Sequence, residues 1–105
     1  MSRTLADLLQ KAQKLKSGFS GARERLSRLR VEASSPDGLV RVVASGDKQI
    51  VSIETRPGLA ADPPAEARRK LEETCNEALK KAEGLLKEEI DKTLGELGIN
   101  FPGLF

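Results

Sequence analysis

The sequence predicts an α+β fold in the order α-β-β-β-α, with a three-stranded antiparallel meander between two long helices. Three observations carry that expectation. A heptad of apolar residues runs through the first 30 positions, alternation replaces it between residues 39 and 55, and a second helical stripe occupies residues 64–97. A chain of 105 residues is expected to form a single domain.

The first stripe is Leu5, Leu8, Ala12, Leu15, Phe19, Ala22, Leu26 and Leu29, in alternating steps of three and four. That is the a/d pattern of a helix pressing a narrow seam on a partner helix. Gly18 and Gly21 interrupt the composition but not the phase. One helix is therefore expected over residues 3–30, weakened near these glycines by roughly 1 kcal/mol each relative to Ala. The weak spot reads as a tolerated one, with a hinge or a close approach as alternatives.

Residues 31–35, VEASS, form a short extended segment, and Pro36, Asp37 and Gly38 make a turn, since Pro fixes φ and Gly accepts positive φ. LVRVVAS then places Val40, Val42 and Ala44 on one face, SGDK closes a hairpin, and QIVSIET puts Val51 and Ile53 on the expected core face. The sheet is thus expected over 31–56. A loop over 57–63 leads into the second helix, with Asp62 as its expected N-cap and Glu66 in its first turn. That helix, over 64–97, carries Ala67, Leu71, Cys75, Ala78, Ala82, Leu86, Ile90, Leu94 and Leu97 along one face, and an apolar, non-helical tail over 98–105 follows it.

Composition excludes more chemistry than it suggests. With no histidine and a single cysteine, the chain lacks the commonest general base and cannot build a typical structural zinc site. Cys75 lies on an apolar stripe, where it reads as a small packed hydrophobe. The glycines match neither a phosphate loop nor a dinucleotide fingerprint. Neither an enzyme, a cofactor, a metal nor a small-molecule substrate is expected. No apolar run approaches membrane-spanning length and no signal-peptide core is evident, so the expected address is the cytoplasm.

Charge is the informative feature. The net charge is only +2, yet residues 1–30 carry +6, residues 31–56 carry −1 and residues 57–105 carry −3. On the first helix Lys16, Arg23 and Arg30 take one flank of the seam. Lys11 and Arg25 take the other, with Lys14 and Arg28 just behind. Bases on both flanks repel a second copy and suit an acidic partner. The second helix, with Glu72, Glu73, Glu77, Glu83, Glu88 and Glu89, is one such partner. Phosphate is the other, and Arg68, Arg69 and Lys70 at the start of the second helix would join it.

Taken together, LLQKAQKLK in the first helix, GLVRVVASG followed by QIVSIETRP in the hairpin, CNEALKKAE in the second helix and the closing FPGLF resemble the YbaB/EbfC family of bacterial nucleoid-associated proteins. The resemblance covers nearly the whole chain in the right order. It implies a homodimer in which the sheets join into a central body and the helices project as tweezer-like arms. It further implies binding of double-stranded DNA at the nucleoid, in nucleoid organisation or gene regulation. The absence of an aromatic or Asn/Gln-rich recognition helix points to low or modest sequence specificity. A protein-interaction or chaperone-like adaptor, gripping a partner with its long amphipathic helices, is the alternative.

Overall fold

A computed structural model describes residues 4–96 and Gly98. The element order is α1 (Leu5–Arg28), β1 (Arg30–Ser34), β2 (Val40–Ser45), β3 (Ile50–Thr55), a short 3-10 turn (Pro57–Ala61) and α2 (Pro64–Glu96), which is the expected α-β-β-β-α arrangement. Arg3, at the expected start of the first helix, Leu97 and the tail over 99–105 lie outside the described residues.

Thr4 caps α1: its hydroxyl accepts from the Asp7 amide at 3.3 Å, and the Asp7 carboxylate stands in the first turn beside the positive end of the helix dipole. The helix runs unbroken through Gly18 and Gly21. A Cβ at Gly21 would meet only the Arg25 guanidinium, at 3.4 Å, so no second backbone approaches there. α1 ends earlier than expected. Leu29 is already extended and Arg30 opens β1, so Arg30 is a strand residue and not part of the basic helix. Its guanidinium turns back to donate to the carbonyls of Ser27 and Leu29, at 2.8 and 3.0 Å, the first of them an acceptor that the helix end leaves open.

The sheet has the order β1-β2-β3, antiparallel throughout. The first turn behaves as its residues require. Gly38 has φ +74° and donates to the Ser35 carbonyl at 2.9 Å. At the second turn Lys48 takes the left-handed conformation, φ 65°. Gly46 packs so closely on α1 that a Cβ there would lie 2.8 Å from the Leu26 carbonyl oxygen, closer than side chains tolerate.

The core is built from small residues: Ala33, Val40, Val42 and Ala44 from the sheet, Ala78 and Ala82 from α2, with Leu71, Cys75 and Leu79 packed around them. Small side chains on both surfaces let α2 lie close over β1 and β2. Its packing falls on β1 and β2, with little on β3. Ile53 pairs with Val42 in register and so shares its face, as expected, but Val51 and Ile53 are each 49% exposed. Their expected burial in the core fails for that reason. A bulge opposite Val43 and Ala44 also leaves Val51 outside the regular ladder.

Asp62 does not cap α2. The helix begins at Pro64, with Pro63 in the cap position and its carbonyl accepting from Glu66 and Ala67, both at 3.0 Å. The Asp62 carboxylate instead takes the Lys70 ammonium.

Candidate nucleic-acid interface

Three contacts fix how the helices lie. Arg25 meets Glu89 at 3.2 Å, the Lys81 ammonium donates to the Glu32 carbonyl at 2.8 Å, and Lys70 meets Asp37 at 2.6 Å. As the chain advances from residue 25 to residue 37, its partners on α2 fall from 89 to 70. α2 therefore runs antiparallel to both α1 and β1. Beyond Glu89 it has only about two turns left, whereas in that same direction α1 extends twenty residues, from Arg25 back to Leu5. At 1.5 Å per residue, α1 outruns the described part of α2 by about 20 Å. The result is an elongated molecule, 72 × 25 × 18 Å, with the first half of α1 as a projecting arm.

The cations fall into three groups. Lys11, Lys14 and Lys16, on the arm, and Arg23 beside the body are exposed, and no acidic partner meets them among the described residues. Arg25 and Arg28 are engaged, the first by Glu89 on α2 and the second by Glu24 one turn back at 2.7 Å, yet both keep half or more of their side-chain surface open. The third group lies far away. Arg68, paired with Glu72 at 3.6 Å, and exposed Arg69 sit twenty residues before Glu89 along α2, about 30 Å from the α1 set. The structure does not bring the two groups together within one protomer.

Lys70 differs from its neighbours. Its side chain is only 19% exposed and is held by Asp37 and Asp62, tying the β1–β2 turn and the loop before α2 onto the helix. Those carboxylates hold the Lys70 ammonium above its ordinary pKa, Asp37 more than Asp62. Asp37 is in turn held well below the usual carboxylate range, first by Lys70, then by the Ser35 hydroxyl at 2.7 Å and the Leu39 amide at 3.1 Å. A cation so engaged is poorly placed to meet phosphate.

Acidic complementarity within the chain accounts for little of the charge on α1. Among the described residues, Arg25 alone of its six cations reaches a carboxylate on α2. Glu72, Glu77 and Glu83 pair instead with Arg68, Lys81 and Lys87 of their own helix, each four residues away. Lys92 of α2 is a further open cation, outside the set expected from the sequence. It is exposed and stands one turn beyond Glu89, beside the same helix pair.

Comparison with known proteins agrees with this architecture. The model of the YbaB/EbfC DNA-binding family matches residues 1–97. The chain belongs to that family. It is 36% identical over 109 residues to a nucleoid-associated protein of Pelotomaculum thermopropionicum, covering all of this chain and 99% of the relative. It is 38% identical over 100 residues to one from Acetivibrio thermocellus, covering 94% and 88%. The crystal structure of an uncharacterized protein from Helicobacter pylori superposes with a TM-score of 0.79 at 22% identity, covering 89% of this chain and 99% of the other, a likeness of fold. This is a DNA-binding family and not an enzyme family.

Proposed function

We propose that this YbaB/EbfC chain is a nucleoid-associated protein that binds double-stranded DNA through the open cations of the α1 arm. It acts as a homodimer at the nucleoid within the cytoplasm, with low or modest sequence specificity, in nucleoid organisation, gene regulation or both. The observation that carries this reading is the set Lys11, Lys14, Lys16 and Arg23, exposed on one helix and met by no acidic group among the described residues. Unneutralised cations spaced along a projecting rod suit a polyphosphate surface, where each contact releases a condensed counterion. Arg25, Arg28, Arg30, Arg68 and Arg69 are secondary contacts, and Lys70 is a structural tie. The names of the relatives support the nucleoid setting. Support for the dimer comes from β3, an edge strand exposing Ile50, Val51 and Ile53; such an edge invites pairing with another strand.

The test is a set of binding isotherms on duplex DNA at several salt concentrations, with the parent beside the variant Lys11→Gln, Lys14→Gln, Lys16→Gln, Arg23→Gln. Each lost phosphate contact should flatten the log–log salt dependence by about 0.9, with the melting curve unchanged. An unaltered slope in a folded variant would remove the interface from α1 and leave Arg68 and Arg69 as its centre. Absence of binding by the parent near physiological salt would favour the adaptor reading.

A further inference from the structure

The seam of α1 is covered unevenly. Leu26 and Ala22 are buried, but Leu8 and Leu9 are more than half exposed and Leu5 is 72% exposed. Leu5, Leu8 and Ala12 continue the same heptad register that α2 buries further along, and Leu9 widens it. The stripe is thus patterned for burial over three turns that the described α2 does not reach.

We propose that residues 99–105 of the same chain dock along this stripe, on Leu5, Leu8, Leu9 and Ala12. The chain leaves α2 beside the place where cover ends: Gly98 has φ +71° and donates to the Gly95 carbonyl at 3.0 Å, a left-handed turn that takes it out of the helical path. Seven residues follow, Ile-Asn-Phe-Pro-Gly-Leu-Phe, with no charged side chain and with Pro102 unable to continue a helix. Extended, they span up to about 23–25 Å. The stripe between Leu15 and Leu5 is about 15 Å long, so the segment reaches its end. A second copy of α1 suits the stripe less well, because Lys11, Lys14 and Lys16 beside it would face their own like charges. The proposal does not rest on DNA binding. Its consequence is an arm whose apolar side is closed and whose cationic side stays open.

Disulfide trapping tests it directly. In a Cys75→Ala background, Leu8→Cys with Leu104→Cys should oxidise to one intrachain bond, seen as a faster-migrating single chain on a non-reducing denaturing gel. Chains crosslinked in pairs, or thiols left free under conditions that oxidise a control disulfide, would overturn docking within the chain. Hydrogen exchange gives a second readout on the natural sequence. Ending the chain after Gly98 should speed exchange of amides 8–15 by about tenfold or more while the β2 amides keep their protection. Equal exchange in both forms would also overturn the proposal.

Discussion

Lys70 and Asp37 give this small domain one local source of pH dependence. Because the carboxyl of Asp37 is held far below its unfolded value, the pair contributes stability above pH of about 4, and that contribution is lost as the pH falls further. Asp37→Asn should therefore melt below the parent at pH 7, and the gap should close on acidification, as thermal melts across pH 2–7 would record. Gly84 offers the opposite opportunity. It lies inside α2, and a Cβ there would meet nothing within 4 Å. Gly84→Ala should raise stability by about 1 kcal/mol in denaturant titrations, through helix propensity alone. Cys75, partly buried against the core, should tolerate Ala with a loss of about 1–2 kcal/mol and unchanged DNA binding.

At the scale of elements, α2 divides its apolar stripe between two partners. Leu71, Cys75, Ala78 and Ala82 serve the sheet, whereas Leu86 and Ile90 line a cleft of about 450 Å³ against Phe19, Ala22 and Leu26 of α1. Periodicity marks the stripe as continuous because both partners lie on the same side of the helix. It carries no record of where one partner gives way to the other. The two sheet valines separate in the same way. Val42, fully buried under α2, should not accept Asp, and Val42→Asp should abolish the cooperative melt. Val51→Asp should leave a folded protomer and, on the proposal that β3 is the edge of a homodimer, should give a monomer in light scattering where the parent gives a dimer. A folded Val51→Asp dimer would place the interface elsewhere.

Across the whole molecule, charge and shape work together. The arm carries its cations clear of the acidic α2, three of whose carboxylates (Glu72, Glu77 and Glu83) pair with cations of their own helix, and the sheet body has its own charge ladder of Glu32, Arg41 and Glu54. The salt dependence of DNA binding should therefore track the α1 cations and be indifferent to Arg41→Gln; equal losses of slope from both would point to general electrostatics and not to the arm. Much of this was determined by the sequence alone. The heptad and the alternation set element order because periods of 3.6 and 2 cannot be exchanged on one backbone, and the +6 of residues 1–30 marks the basic segment. Tertiary structure alone decided that Arg30 belongs to a strand, that Lys70 and Asp62 tie to each other, that β3 is left largely uncovered by α2, and that the first half of α1 runs on past the described α2. Each of these depends on which elements meet at a given residue, and a local pattern of residue types records which face is apolar but not what covers it.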